Sequence, residues 1–140
     1  KRVLSAELLR GTETILLVDD EDTVINVVGK SLDLLGYRVL VARGGEEAAE
    51  IYRGNQKEIA LVILDMIMPG IGGGKTYDLL KEMNPHVTVI LSSGYSFNGE
   101  ASQIMARGVD GFIQKPFGIK ELSQKIREIL DKSQKGLPAP

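Results

Sequence analysis

The chain has 140 residues, enough for one domain with a substantial core, and its 43% hydrophobic and 26% charged content is typical of a globular protein. Its formal net charge of −2 argues against non-specific binding to nucleic acid, because such binding needs a basic surface. The lack of cysteine excludes disulfides and thiolate metal sites, and no apolar run has the length of a membrane span. We therefore expect a cytoplasmic protein that contacts neither membranes nor nucleic acid directly.

The first predicted strand and helix follow a lead-in. Residues 1–13 carry no strand signal and are interpreted as a linker into the domain. Three leucines in it have the spacing of a short helix: Leu4, Leu8 and Leu9. Residues 15–18 form an apolar run typical of a strand buried on both faces. A helix is predicted over 21–35, before Gly36. Its predicted apolar stripe consists of Val24, Val27, Val28, Ser31, Leu32 and Leu35.

Strands and helices then alternate along the rest of the chain. Further strands are predicted at 37–42, 59–64, 87–91 and 111–114. Further helices are predicted at 45–53, 76–83, 101–107 and 119–130. A proline and four glycines within 69–74 predict a flexible loop before the helix at 76. This order indicates one α/β domain at 14–131, with a parallel sheet covered by helices on both faces, and a flexible tail at 132–140.

Polar side chains stand where the predicted strands end. Asp19 and Asp20 follow the first strand, Asp65 follows the third, Ser92 and Ser93 follow the fourth, and Lys115 follows the fifth. The carboxyl ends of parallel strands meet at one edge of a sheet, where ligands bind. Three carboxylates, a hydroxyl and an ammonium gathered there suit a divalent metal and a phosphoryl group.

Each of these residues also has a simpler interpretation. An aspartate after a strand is often only the cap of the next helix, and a lone serine beside glycine or a lone lysine is usually a surface residue. Four consecutive acids at 19–22 repel one another, however, and a cation compensates them. Asp65 is followed by Pro69 and glycines rather than directly by a helix. Lys115 precedes Pro116, so its backbone is extended or turned, and the peptide between them is a candidate for the cis form.

Four segments together resemble a known family. Residues 15–21 (ILLVDDE), 64–70 (LDMIMPG), 91–95 (LSSGY) and 112–117 (FIQKPF) are similar to the motifs of receiver domains of two-component response regulators, in the same order and spacing. The match extends over about 14–131. It implies a flavodoxin-like (βα)5 fold with a doubly wound parallel sheet of strand order 2-1-3-4-5. The alternation of strands and helices agrees with this strand order but does not define it.

The resemblance implies a role for each residue at the acidic edge. Asp65 would be the phosphoacceptor, and Asp19 and Asp20 would hold Mg²⁺ together with Asp65 and the backbone carbonyl of Ile67. Lys115 would pair with the phosphoryl oxygens. The implied donor is a histidine kinase or a histidine phosphotransfer domain. The implied function is that of a phosphoprotein in signal transduction, which takes part in its own phosphorylation and dephosphorylation without turning over an external substrate.

The resemblance also implies a switch. Ser93 would be the switch hydroxyl, since it precedes Gly94 and stands 22 positions before the lysine, and Phe112 would be the aromatic switch residue. In this family the residues two positions after the phosphoacceptor and two after the switch hydroxyl flank the attacking water. Here these are Ile67 and Tyr95, neither of which readily orients water, so we hypothesise that the phosphoryl group is lost slowly.

Several alternatives stay open at this point. The domain could be the receiver of a hybrid sensor histidine kinase, which the lead-in favours, or a stand-alone single-domain response regulator. A Mg²⁺-dependent phosphatase or phosphotransferase with an aspartate nucleophile uses similar groups, but generally needs a second carboxylate and a substrate cap. A degenerate receiver used only for docking is disfavoured by the complete set of site residues.

Two further features point to no function. Residues 70–76 (GIGGGKT) resemble a nucleotide-binding P-loop, but the first glycine of that motif would fall on Pro69, which has no N–H to bind phosphate. His86 is the single histidine and follows an Asn-Pro pair, which predicts a surface loop.

Overall fold

A computed structural model describes residues 8–94 and 99–135 of the chain. Strands and helices alternate as β1 Thr14–Val18, α1 Asp22–Leu34, β2 Arg38–Ala42, α2 Gly45–Asn55, β3 Ile59–Asp65, α3 Gly73–Met83, β4 Val89–Ser93, α4 Gly99–Met105, β5 Gly111–Gln114 and α5 Ile119–Lys135. All strand pairs are parallel, and the sheet order is β2-β1-β3-β4-β5. The predicted doubly wound fold and its strand order are confirmed.

The core lies in two layers, one on each face of the sheet. Successive strand residues point to opposite faces, so neighbours such as Leu16 and Leu17 belong to different layers. The first layer packs α2, α3 and α4 against the sheet, and the second packs α1 and α5 against it. Because the strands are buried on both faces, they are almost wholly apolar, which is why they read as continuous runs in the sequence.

The orientation of α1 differs from the predicted stripe. Its buried residues are Ile25, Val28 and Leu32, whereas Val27 is 58% exposed. The prediction that Val27 faces the core is therefore wrong. The valines and the isoleucine at 24, 25, 27 and 28 offer two overlapping helical stripes, and packing against the sheet selects the one that contains Ile25.

The loop after β3 is shorter than predicted, because α3 begins at Gly73 rather than at residue 76. The Gly73 N–H donates to the carbonyl of Met66 at 2.9 Å, which brings this turn against the end of β3. A Cβ at Gly73 would lie 2.7 Å from the carbonyl oxygen of Asp65. The glycine is thus required by this close approach, which holds the backbone at the end of β3.

The described part of the lead-in is packed against the domain. Its residues 8–13 are not helical, so the helical interpretation fails for Leu8 and Leu9, and Leu4 lies outside the described residues. The Gly11 N–H donates to the carbonyl of Leu35 at 3.0 Å, just after α1. At the other end of the chain, α5 continues four residues past the predicted domain boundary at 131, and residues 136–140 lie outside the described part.

Across the described ranges, no helix combines the length and the apolar character needed to cross a bilayer.

Candidate functional site

Polar residues from four strands meet at the carboxyl edge of the sheet. Asp65 ends β3 in register with Ser92 of β4, and Ser93 is in register with Gln114, the residue before Lys115. A cavity of about 440 Å³ opens at this edge. It is lined by Asp20, Glu21, Asp65, Ile67, Ser93, Gly94 and Lys115. The fold therefore brings together residues that lie up to 95 positions apart in the sequence (from 20 to 115).

Three carboxylates form a cluster at this edge. One carboxylate oxygen from each of Asp19, Asp20 and Asp65 lies within 4.8 Å of the other two. Asp19 is 1% exposed and Asp65 is 5% exposed, so their charges are largely removed from water. Hard oxygen ligands at this separation, open to a cavity that admits water and phosphate oxygens, fit the coordination that Mg²⁺ prefers. The residues present are thus suited to hold this ion.

Lys115 neutralises part of this negative charge. Its Nζ lies 2.8 Å from Asp19 Oδ2, 3.3 Å from Asp65 Oδ1 and 3.7 Å from Glu21 Oε1. Burial works to lower the pKa of the lysine, but the hydrogen bond to Asp19 and the charges of both aspartates outweigh it and raise that pKa. The ammonium is therefore a fixed positive charge beside the carboxylates.

The carboxyl group of Asp65 is held in an unfavourable place for an anion. Burial, and after it the charge of Asp19, raise the pKa of Asp65 from 3.8 to about 6. Lys115 and a hydrogen bond from the backbone of Ile67 act in the opposite direction without cancelling these effects. A carboxylate that is buried and only partly compensated is less stabilised than one in water, and it gains from any additional cation.

Backbone hydrogen bonds hold the site residues in place. The Glu21 N–H donates to Asp19 Oδ1 at 3.0 Å, so Asp19 does act as a local acceptor at the start of α1 as well as lying in the cluster. The Lys115 N–H donates to the Ser93 carbonyl at 2.7 Å, which joins the ends of β4 and β5. The peptide between Lys115 and Pro116 is cis.

The two predicted switch residues have different surroundings. Ser93 is buried and lines the cavity, close in the fold to Asp65. Phe112 is half-buried and packs against the core layer that contains Ala101 and Ile104 of α4. Ser93 thus lies at the cavity, whereas Phe112 packs against the core layer of α2, α3 and α4 and is not one of the residues that line the cavity.

A sequence profile of the response regulator receiver domain family matches residues 15–127. The chain belongs to this family. It is a receiver domain of two-component signalling, in which phosphorylation and Mg²⁺ binding at an acidic pocket are typical.

Relatives of this receiver domain occur in proteins of different architecture. It is 36% identical over 132 residues to the sensor kinase CckA of Brucella abortus, a match that covers 94% of the chain and 14% of the kinase. It is 35% identical over 119 residues to the probable transcriptional regulator ycf27 of Porphyridium aerugineum, covering 84% of the chain and 48% of the regulator. The chain therefore spans less than half the length of these curated relatives.

Solved structures agree with the fold. The receiver domain superposes on a response regulator receiver domain protein from Clostridium thermocellum with a TM-score of 0.84 and 29% identity, covering 89% of this chain and 99% of that one. It is also similar to response regulator protein TrrA of Thermotoga maritima, solved in complex with Mg²⁺-BeF, with a TM-score of 0.74 and 31% identity. That match covers 84% of this chain and 99% of the other.

The two sequence features that pointed to no function lie away from the acidic cavity, since none of their residues lines it. Lys75 is exposed on α3, and the hydroxyl of Thr76 donates to the carbonyl of Gly72 at 2.8 Å instead of facing a ligand. His86 is exposed in the connection before β4, as predicted. Of the two residues expected to flank the attacking water, Ile67 lines the cavity and is 50% exposed, and Tyr95 lies outside the described residues.

The structure adds one feature that sequence reasoning missed, an apolar groove directly beside the acidic cavity. We call it the rim groove, and its volume is about 430 Å³. It is lined by Glu21, Thr23, Val24, Val27, Val28, Gly94, Lys115, Pro116 and Phe117. The sequence did contain a signal for this groove, because α1 has more valines than its buried face needs. The sequence analysis assigned the exposed one, Val27, to the core.

Proposed function

We propose that Asp65 accepts a phosphoryl group from a phosphohistidine of a histidine kinase or a histidine phosphotransfer domain, with Mg²⁺ held by Asp19, Asp20, Asp65 and the backbone carbonyl of Ile67. The observation that carries the proposal is the contact of one ammonium with two buried carboxylates at the cavity, 2.8 and 3.3 Å from Lys115 Nζ. An anionic nucleophile and an anionic phosphoryl group repel each other, so the reaction needs fixed positive charge at this point.

In the proposed step, a carboxylate oxygen of Asp65 attacks phosphorus and the bond from phosphorus to the donor's imidazole nitrogen breaks. The electron pair of that bond stays on the imidazole, and the product is an acyl phosphate on Asp65. With a pKa of about 6, the carboxyl is mostly ionised at neutral pH and is available as the nucleophile. When bound, Mg²⁺ supplies positive charge that phosphoryl oxygens and the carboxylates share.

The residues around Asp65 would stabilise the product. Lys115 Nζ already lies 3.3 Å from Asp65 Oδ1, so a phosphoryl group on that carboxylate would bring its oxygens into reach of the ammonium. Ser93 lines the same cavity and can donate its hydroxyl to a new oxygen. That rearrangement would draw in the segment between β4 and α4 and open space for Phe112, which would change the surface around α4.

The rim groove supports the proposal that the phosphoryl donor is a protein, and not only a small molecule. It adjoins the acidic cavity, and Glu21, Gly94 and Lys115 line both. An exposed apolar surface of this kind, next to a polar reaction site, is typical of a docking surface for an amphipathic helix of the donor. A histidine on such a helix would then face the cavity that contains Asp65.

We propose further that the domain is the receiver of a hybrid sensor histidine kinase, with a stand-alone response regulator as the alternative architecture. The similarity to the receiver portion of a sensor kinase over 94% of the chain supports the first, and the similarity to transcriptional regulators shows that the domain type alone does not discriminate. The sequence of the whole gene tests this, since a kinase segment upstream would support the hybrid architecture and its absence would refute it.

The central proposal is tested by labelling the chain with acetyl phosphate and Mg²⁺ and locating the modification by mass spectrometry. We expect one phosphoryl group per chain, on Asp65. No labelling is expected when EDTA is added before the acetyl phosphate. The variant Asp65→Asn should not be labelled. As a matched control, Asp78→Asn changes an exposed aspartate on α3 that pairs with Arg107, and it should be labelled normally.

Two outcomes would contradict the proposal. Labelling that persists in Asp65→Asn at the wild-type level would show that another residue is the acceptor. Sustained hydrolysis of many equivalents of an added phosphoester, without an accumulated acyl phosphate, would instead indicate an enzyme with an external substrate.

A further inference from the structure

Glu21 is an acidic residue of the cavity that the proposed Mg²⁺ coordination does not use. It is the N-cap residue of α1. Serine, threonine, asparagine and aspartate are favoured at this position, because their short side chains accept a hydrogen bond from the first turn of the helix. The Glu21 side chain makes no such bond. Its carboxylate is therefore not needed to begin the helix.

The backbone and the side chain of Glu21 both contact site residues. Its N–H donates to Asp19 Oδ1 at 3.0 Å. Its Oε1 lies 3.7 Å from Lys115 Nζ, farther than the nearest carboxylate oxygens of Asp19 and Asp65. The Glu21 side chain is 63% exposed, whereas those two aspartates are buried. Glu21 is thus the outermost of these three acids around the ammonium.

Glu21 lies where the acidic cavity meets the rim groove. It lines both, together with Gly94 and Lys115. A donor helix docked in the rim groove, with its phosphoryl group in the cavity, would therefore lie beside this carboxylate. Glu21 is placed to act on the donor during its approach.

The formal charges at the site leave Glu21 in excess. The cluster of three aspartates carries three negative charges. Lys115 together with a bound Mg²⁺ carries three positive charges, so the loaded cluster is neutral before Glu21 is counted. The next acid along the chain, Asp22, has a partner of its own in Arg43. Glu21 thus adds a surplus negative charge at the opening of the cavity.

A surplus negative charge at this point acts on a phosphoryl donor in two ways. It repels an anionic phosphoryl group directly. It also attracts the ammonium of Lys115, which a phosphoryl group on Asp65 needs. A donor with a positive group beside its phosphoryl group reverses both effects, because that group pairs with Glu21 and releases the ammonium. A small anionic donor has no such group.

We propose that Glu21 selects among phosphoryl donors: it disfavours small anionic donors and favours protein donors that present a cationic side chain beside the phosphohistidine. The residue is a specificity determinant, since it neither accepts the phosphoryl group nor holds the metal ion. This inference rests on the proposed function, because it concerns the rate at which Asp65 is phosphorylated.

The contact between Glu21 and Lys115 is tested first, without metal. In the full chain in EDTA, Glu21→Gln should shift the NMR resonances of the Lys115 Cε–Hε group, because it removes a charge 3.7 Å from Nζ. The matched variant Glu128→Gln removes an exposed charge on α5 that does not line the cavity, and it should leave these resonances in place. Lys115 resonances that respond to neither variant, or equally to both, would overturn the proposal.

Donor selection is tested by the rate at which Asp65 is labelled at pH 7 and saturating Mg²⁺. Acetyl phosphate is a dianion, and its bond from phosphorus to oxygen breaks to release acetate. Phosphoramidate is the probe for a donor with a positive group, because it carries a protonated nitrogen on phosphorus and releases ammonia. Glu21→Gln should be labelled by acetyl phosphate roughly threefold to tenfold faster than wild type, which is the effect of a unit charge a few ångströms away across water. The gain with phosphoramidate should be smaller.

The conservative variant and salt separate charge from shape. Glu21→Asp keeps the charge and should keep the wild-type ratio of the two labelling rates, and a ratio like that of Glu21→Gln would overturn the proposal. The advantage of Glu21→Gln should shrink in about 1 M salt, where the screening length is about 3 Å. Equal rates for wild type and Glu21→Gln with both donors would reject the selection alone and leave Asp65 as the acceptor. No labelling of wild type by either donor would refute the phosphoacceptor, and the selection with it.

Discussion

The clearest quantitative consequence of the site geometry is that the buried carboxylate of Asp65 destabilises the fold. Burial and the neighbouring Asp19 raise the pKa of Asp65 to about 6, although Lys115 is in contact with it. A carboxyl whose pKa is higher in the folded state than in the unfolded one costs stability once both states are ionised. Raising the pKa from 3.8 to about 6 corresponds to about 3 kcal/mol of free energy of unfolding at neutral pH.

The variant Asp65→Asn keeps the shape of the side chain and removes its charge. Without divalent cations at pH 7.5, we expect its free energy of unfolding in urea to exceed that of wild type by about 2–3 kcal/mol. The sign follows from linkage: the wild type loses stability as the pH rises from the unfolded pKa of 3.8 through the folded pKa of about 6, and the variant does not. At pH 4 the two proteins should have nearly equal stability.

Addition of Mg²⁺ provides the internal check. In the proposed function the ion binds the folded state through the ionised cluster, and it should then stabilise wild type more than Asp65→Asn and narrow the difference in free energy of unfolding at pH 7.5. The control Asp78→Asn alters an exposed ion pair and should change stability by less than about 1 kcal/mol at either pH. A variant Asp65→Asn that is no more stable than wild type at pH 7.5 in EDTA would refute the reasoning.

Four further predictions follow from neighbouring contacts. Arg127→Met should lower the free energy of unfolding by about 2 kcal/mol in urea, because it leaves the carboxylate of Glu13 without its partner. Since Arg127 lowers the pKa of Glu13, the difference should shrink as the pH falls below 4.5, and a constant difference would contradict this cause. Gly73→Ala should destabilise by at least about 2 kcal/mol and slow labelling of Asp65, because its Cβ would meet the backbone at the end of β3; normal stability would show that the turn relaxes. Lys115→Met should retain Mg²⁺ binding, measured by titration calorimetry, and lose most acyl phosphate formation. Ile67→Asn should shorten the lifetime of the acyl phosphate after removal of acetyl phosphate, and an unchanged lifetime would reject water access as the cause.

Much of the site was predictable because its residues occupy the ends of strands. A continuous apolar run identifies a strand of a buried parallel sheet, and the residue after it must lie at the carboxyl edge. Asp65 and Lys115 were placed in this way, and their contact at 3.3 Å agrees with that reasoning. The roles of these residues in phosphotransfer, like the switch at Ser93 and Phe112, stay predictions until labelling is measured.

Helix faces and segment packing were less predictable. The valine and isoleucine run on α1 satisfies two stripes, and only contact with the sheet decides that Ile25 is buried and Val27 exposed. The start of α3 at Gly73 depends on the hydrogen bond from the Gly73 N–H to the Met66 carbonyl. Helix propensity could not predict this start, because glycine is a poor helix former.

The sequence by itself determined the alternation of elements, the parallel sheet and the set of charged residues at its edge, because those depend on local patterns of period and of strand termination. Only the tertiary structure decided which side of α1 faces solvent, how Lys115 divides its contacts between Asp19 and Asp65, and that the lead-in contacts Leu35 and Ser123. These depend on distances between residues about 24 to 114 positions apart along the chain, which no local pattern carries. The physical reason is that burial and electrostatic energies are set by spatial neighbours.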